Sequence, residues 1–402
     1  MARLPDGDPP PPDGRLPEQA LATLAARPFG LYLHVPYCAS ICGYCDFNTY
    51  VARPGDPGPG GHVDTLLAEL DLAARVLGLP PQVETVFVGG GTPTLLGAGE
   101  LARLLAGVRD RFALAPDAEI TTEANPETLD DACLAALREA GFTRISIGMQ
   151  SASPHVLRVL ERVHTPGAAE AAARAARTAG FAHVSLDLIY GTPGETADDW
   201  RATLDAALAA GPDHVSAYAL VVEEGTRLGA AVSRGATPAP DPDVLAERYE
   251  IADTLLSAAG LPWYEISNWA RDPASRCRHN DGYWAGGNWW GAGPGAHSMV
   301  GPVRWWNALN PHAWARQVTA GRSPAAGREH PDPEAAHLER VMLGIRRAEG
   351  LPLHVLRHAG TAAAAGLAAD GLLDPGPLAD GTAVLTRRGR LLADRVTLAL
   401  AA

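Results

Sequence analysis

An α/β fold is what this sequence predicts: a partial (β/α)6 barrel, then an α+β extension and a small C-terminal winged-helix-like module. Three observations predict it. Short apolar runs at 31–35, 85–88, 119–123, 144–148, 184–189 and 214–219 alternate with helical patterns at 63–77, 101–111, 129–140, 168–179 and 198–210. Polar or glycine-rich residues recur at the carboxyl ends of the apolar runs. Three cysteines, Cys38, Cys42 and Cys45, lie within eight residues directly after the first run.

The runs are short and apolar, as buried strands are, whereas Leu66-Leu67-Leu70-Leu72 and Leu134-Leu137 keep the helical period. Repeated β–α units imply parallel strands joined by right-handed crossovers. Six units are fewer than a closed eight-fold barrel requires, so an open, partial barrel is expected. The carboxyl ends of parallel barrel strands converge on one face, where active sites are built. Here that face receives the cysteine loop, then Gly89-Gly90-Gly91-Thr92-Pro93-Thr94. Glu123 ends the third strand, Gln150 follows the fourth, and Asp187 lies in the fifth just before Tyr190-Gly191-Thr192-Pro193-Gly194. Tight strand-to-helix turns explain the glycines but not the carboxylates.

Four regions are expected. Residues 1–28, with four prolines at 9–12, read as a flexible leader. Residues 29–235 form the barrel core, 236–328 the extension, and 329–402 the winged-helix-like module. In the last of these, Arg387, Arg388 and Arg390 read as a solvated face.

Composition narrows the function. The chain has 402 residues, 47% of them apolar, and a formal charge of −13, which argues against a nucleic-acid partner. All 33 basic residues are arginine. That excludes a Schiff-base lysine and a P-loop lysine. No apolar run reaches membrane-spanning length, and the protein is expected in the cytoplasm.

A C-x3-C-x2-C loop gathers three soft thiolate ligands, suited to zinc or an iron–sulfur cluster. A structural zinc site would need a fourth ligand, for which His34 is near in sequence. An odd total of five cysteines argues against disulfides. Cys133 reads as a small core residue in a helix; Cys277 stands beside an aromatic motif and has the chemistry of a thiolate ligand for heme iron.

With its tyrosines, Tyr32-x-His34-x-Pro36-x-Cys38-x3-Cys42-x-Tyr44-Cys45, the loop resembles the signature of the radical S-adenosylmethionine (SAM) superfamily. The resemblance covers roughly residues 29–235. It implies that Cys38, Cys42 and Cys45 hold a [4Fe–4S] cluster whose fourth iron is chelated by SAM. By motif it also implies a SAM site. In it Tyr32 and Tyr44 flank the cluster, and Gly90, Gly91 and Thr92 line the methionine end. Glu123 meets the ammonium, Arg162 the carboxylate, Gln150 and Asp187 the ribose, and backbone near Val221 the adenine.

Within the superfamily the chain is similar to the group of oxygen-independent coproporphyrinogen III dehydrogenases and heme chaperones. The dehydrogenases carry a further cysteine two residues after the third cluster cysteine; here that residue is Phe47. The string Arg278-His279-Asn280-Asp281-Gly282-Tyr283-Trp284 resembles the H-N-x-x-Y-W motif that the chaperones link with heme. The resemblance implies His279, with Asn280, Tyr283 and Trp284, as heme contacts, and His297 as a second axial candidate. The implied function is a heme chaperone carrying cluster, SAM and heme. It would deliver heme to apo-hemoproteins, respiratory membrane enzymes among them, at the inner membrane face through such partners, with a homodimer expected and catalysis not required. The alternative is a radical SAM dehydrogenase converting coproporphyrinogen III to protoporphyrinogen IX through a 5′-deoxyadenosyl radical.

Overall fold

The computed structural model describes residues 6–51, 58–78 and 80–402. Six parallel strands form its centre: β1 (Phe29–Val35), β2 (Val83–Gly90), β3 (Leu114–Ala124), β4 (Arg144–Gln150), β5 (His183–Tyr190) and β6 (His214–Ala219). They lie side by side in chain order, as six β–α units dictate. Strand β3 begins five residues before the apolar run that predicts it. Pro116 and Asp117 interrupt the apolar pattern there, so its first half carries no sequence signal.

Alternation divides each strand. Leu31, Leu33, Val86, Val88, Ile145, Ile147, Leu186, Leu188 and Val215 join one large core with the crossover helices. Those helices include α1 (Pro59–Leu77), α2 (Ala98–Arg111) and α3 (Asp131–Ala140); α4 (Pro154–Val159) instead joins a smaller cluster with Leu160, Ile189 and Leu220, and α5 (Ala168–Thr178) and α6 (Ala197–Ala209) return to the large core. Local chemistry fixes their starts. Asp130 accepts from Cys133 N, and Thr196 with Asp199 forms a capping box ahead of α6.

The extension widens this sheet at both edges. Strands β7 (Trp263–Glu265) and β8 (Asn268–Ala270) add antiparallel beside β6. Strand β9 (Asn288–Ala292) runs parallel to β1, and β10 (His297–Val300), β11 (Val303–Asn307) and β12 (Ala325–Glu329) follow antiparallel. The result is a twelve-stranded sheet. Between β8 and β9 lies the short helix α7 (Arg278–Trp284), which is the H-N-x-x-Y-W string. Side chains of α7 and the residue before it meet Tyr32 of β1, Thr85 of β2 and Glu119 of β3, while Tyr264 bridges from Cys277 N to His214 of β6. One short helix and its neighbour reach both sides of the six-stranded array only because the array curls around them. Helix α7 plugs the amino-terminal end of the barrel.

The proline-rich leader is not loose. Residues 1–5 lie outside the described residues. From Asp8 on it is pinned: Asp8 and Arg328 exchange both backbone hydrogen bonds, Ala20 is buried, and Arg27 donates to Gly286 O. Leu16, Leu21 and Leu24 supply the apolar anchors that the prolines obscure.

A separate core of Val341, Ile345, Leu367, Leu373, Leu385, Val396 and Leu400 builds the carboxyl-terminal region. Arg390 is not part of a solvated face. Its guanidinium forks onto Asp253 at 2.8 Å and lies 4.5 Å from the Trp263 ring, while Arg387 joins the same carboxylate at 2.6 Å. The pair docks this core onto the rest of the molecule. Among the described residues, no helix is long and apolar enough to cross a membrane.

Two buried carboxyls give the fold a pH dependence. Glu69 accepts from Gly293 N, Asn307 Nδ2 and Trp314 Nε1, and Glu265 from Ser267 N, Asn268 and Asn280. Among the described residues neither has a cationic partner, and burial pushes them up to about 7 and about 8. The folded chain therefore keeps protons that the unfolded chain releases above about pH 4.5. Their stabilisation is complete below that value and is lost as pH rises through 7 to 8. Urea unfolding should give a higher stability at pH 6 than at pH 8.5, by about 1 kcal/mol from Glu69 and about 2 to 3 kcal/mol from Glu265. Glu69→Gln should flatten the dependence; equal midpoints would contradict this account.

Candidate functional site

The carboxyl ends of β1–β6 carry the site. After β1 the chain turns through Tyr37–Cys38, which pairs with Tyr50–Val51, so the cysteine loop is closed at its base. Asn48 locks it further. Its side chain donates to Pro294 O and Leu309 O at 2.9 Å, and its own carbonyl accepts from His34 Nε2 at 3.0 Å. The loop is thereby tied to the glycine-rich turn after β9.

Within it Cys38, Cys42 and Cys45 are all half-buried and form no disulfide. Burial pushes the Cys38 thiol up to about 11, partly offset by Thr92 Oγ1 at 3.8 Å, and raises Cys45 as well. Thiols held protonated by burial become ligands when a cation displaces their protons. Space also fits a thiolate-held group. A Cβ at Gly91 would stand 2.5 Å from Tyr37 O and 3.0 Å from Cys38 Sγ, so only glycine lets the loop close there. The zinc reading does not fit. Both His34 nitrogens are committed, one to Tyr32 Oη at 2.9 Å and the other to Asn48 O, and burial lowers the imidazole to about 4. Among the described residues, no three His, Cys, Asp or Glu side chains gather at single-ion spacing.

Around the cysteines stand most of the residues expected at a SAM site. Arg162 Nη1 is 3.8 Å from Cys42 Sγ, and its Nη2 donates to Gly148 O at 3.0 Å. Its Nε is buried without a partner, a donor left for an acidic ligand group. Glu123 accepts from Gly90 N at 2.8 Å; burial, with Asp187 nearby, pushes it up to about 7. Asp187 accepts from Ser146 Oγ at 2.8 Å and is also raised by burial. Thr92 N is fixed to Tyr37 O, and Gly91 N to Val35 O. Tyr44 packs beside Leu160, Leu220 and Leu228. Gln150 has φ +65° and Glu161 φ +51°, the two positive-φ positions among described non-glycine residues. Both flank this mouth, where strained backbone concentrates when a site demands it. Val221 is exposed at the rim.

The H-N-x-x-Y-W residues lie elsewhere, at the opposite end of the barrel interior. His279 is 4% exposed, with Nδ1 2.8 Å from Thr85 Oγ1 and Nε2 2.7 Å from Tyr283 Oη. Its ring stacks on Phe87 and Tyr32, and Tyr283 packs edge-on against Trp289. In this arrangement both ring nitrogens of His279 are hydrogen-bonded to side chains. Asn280 holds Glu265 at 3.0 Å, and Asp281 takes a bidentate pair from Arg347 at 2.9 Å, linking the plug to the carboxyl-terminal core. Trp284 is half-buried at the end of the helix.

Cys277 is no thiolate. It is buried, burial raises its pKa, and its Sγ lies 3.8 Å from Glu119 Oε1. Cys133 is half-buried on α3. His297 is exposed on β10, tilted against Trp306 with 5.9 Å between ring centroids.

Sequence reasoning missed the ion pair that seats the plug. Arg144 Nε meets Glu119 Oε2 at 2.9 Å, both side chains nearly sealed from solvent. Glu119 also accepts from Arg278 N and His279 N, and Arg144 from its other side donates to Ser275 O and Arg276 O. The available signal was opposite charges in two neighbouring predicted strands.

The radical SAM superfamily model matches residues 32–207. A heme chaperone HemW of Mycobacterium tuberculosis (strain ATCC 25618 / H37Rv) is 56% identical over 377 residues, spanning 94% of this chain and 95% of its own. The heme chaperone HemW of Escherichia coli (strain K12) is 41% identical over 274 residues, 68% of this chain and 70% of that one. Among solved structures, coproporphyrinogen III oxidase (HemN) from Escherichia coli, described as a radical SAM enzyme, superposes with a TM-score of 0.81 at 24% identity. It covers 97% of this chain and 94% of the other. At that identity the likeness shows the fold.

Proposed function

The chain belongs to the HemW heme-chaperone family of the radical SAM superfamily, and from that premise we propose that it binds heme and delivers it to apo-hemoproteins. Cys38, Cys42 and Cys45 would hold a [4Fe–4S] cluster, which when bound supplies an iron with an open position for SAM. Tyr32, Tyr44, Gly90, Gly91, Thr92, Glu123, Gln150, Arg162, Asp187 and backbone at Val221 would enclose that SAM. Respiratory membrane enzymes are the recipients, and a homodimer the working form, in this reading. The regions 29–235, 236–328 and 329–402 would divide the work into cluster site, barrel plug and docking module.

One observation carries the choice over porphyrinogen decarboxylation. At the cluster mouth, two residues after Cys45, stands Phe47, 63% exposed, where the dehydrogenases have a further cysteine. A phenyl ring there supplies apolar surface and no thiol chemistry. Anaerobic incubation of the cluster-loaded protein with coproporphyrinogen III, SAM and dithionite should yield no protoporphyrinogen IX. Turnover into that product would replace the chaperone reading with the dehydrogenase.

A further inference from the structure

Each of the three loop sulfurs faces a side-chain donor, and the donors come from three separate segments. Thr92 Oγ1 donates to Cys38 Sγ at 3.8 Å, and Arg162 Nη1 to Cys42 Sγ at 3.8 Å. Thr49 Oγ1 lies 4.0 Å from Cys45 Sγ, and the Phe47 N–H is directed at the same sulfur. Thr92 and Arg162 already have expected places at a SAM site; Thr49 has none. Among the described residues, its hydroxyl has no other hydrogen-bond partner than Cys45. Its position is fixed. Thr49 is 8% exposed, its N–H donates to Phe47 O at 2.7 Å, and the Asn48 clamp and the Tyr37–Tyr50 pairing hold the backbone on either side.

A free thiol can donate or accept, but a cysteine bound to a cluster iron is a thiolate without a proton. Each threonine hydroxyl must then be the donor. Hydrogen bonds to cluster sulfurs favour the form that carries more negative charge, and so raise the reduction potential. We propose, resting on the reading of Cys38, Cys42 and Cys45 as cluster ligands, that the Thr49 and Thr92 hydroxyls set the reduction potential of that cluster through Cys45 and Cys38. The couple is a one-electron one. A [4Fe–4S]2+ cluster takes an electron from a low-potential one-electron donor and becomes [4Fe–4S]+, with no bond made or broken. The added charge spreads onto the thiolates, where the two hydroxyls stabilise it at Cys38 and Cys45 as the Arg162 guanidinium does at Cys42. Thr49 is thus a positioning residue that acts through Cys45.

The test is a potentiometric titration of the full-length, anaerobically cluster-loaded protein without SAM. Dithionite is the reductant, and the low-temperature electron paramagnetic resonance signal of the reduced cluster is the readout. Wild type is compared with Thr49→Val, Thr49→Ser, Thr92→Val and Thr92→Ser, with iron and sulfide analysis to check loading. Valine keeps the shape and removes the hydroxyl; serine keeps the hydroxyl. At the wild-type midpoint each valine variant should show a ~fivefold lower ratio of reduced to oxidised cluster, a midpoint ~40 mV more negative at ~59 mV per decade. Both serine variants should keep the wild-type midpoint. Thr92→Val carries the comparison if Thr49→Val loads poorly. Loaded valine variants at the wild-type midpoint, or serine variants shifted as far as valine, would overturn the tuning role and leave the cluster reading intact. A wild type that takes up no cluster would overturn both.

Discussion

Arg144→Met should destabilise the folded protein by about 3–5 kcal/mol, the size expected when one partner is removed from a buried ion pair. Arg144 is 1% exposed and Glu119 4% in their side chains, so water cannot replace the lost charge. The stranded carboxylate would keep only the N–H groups of Arg278 and His279 and the Cys277 thiol as donors. At the same time Ser275 O and Arg276 O would lose their donor. The helix seated by these contacts should loosen before the parallel strands do, seen as faster hydrogen exchange at 277–284. Urea unfolding measures the loss. Glu119→Leu combined with Arg144→Met should recover part of it, because no unpaired charge remains. A single Arg144→Met variant as stable as wild type would show that the plug is held by packing alone.

Cys42→Ala should abolish the absorbance of the anaerobically reconstituted cluster. With three thiols in the loop, none is spare: losing Cys42 leaves two ligands and removes the sulfur on which Arg162 Nη1 rests. The fold should persist, because Cys42 is half-buried and the loop remains anchored through Asn48 and the Tyr37–Cys38 pairing. Iron and sulfide analysis beside circular dichroism separates the two effects. A full cluster in Cys42→Ala would break the assignment of the loop.

The architecture was legible wherever burial is one-sided. Six apolar runs became six parallel strands, because their outward residues must be apolar to meet the helices, as Leu31, Ile145 and Val215 do. The placement of the cysteine loop and the carboxyl-end residues was legible because spacing and chain position alone bring them to one face. What stayed hidden depends on which side of a strand a residue faces and on what crosses the barrel. The histidine of the H-N-x-x-Y-W string reads as a ligand in sequence; only the closure of the sheet around α7 turns both its nitrogens inward to Thr85 and Tyr283. The leader reads as loose because seven prolines outweigh four leucines in composition, although Leu16, Leu21 and Leu24 decide where it packs.

Transfer of heme tests the central claim most directly. The cluster-loaded protein, saturated with hemin and freed of excess, is mixed anaerobically with the apo form of a b-type cytochrome while the Soret band is followed. The account predicts that the recipient's holo spectrum grows in as the donor's band declines, faster than hemin leaves the donor when no recipient is present. A donor that binds no heme saturably, or that keeps it while the recipient stays apo, would contradict the chaperone function.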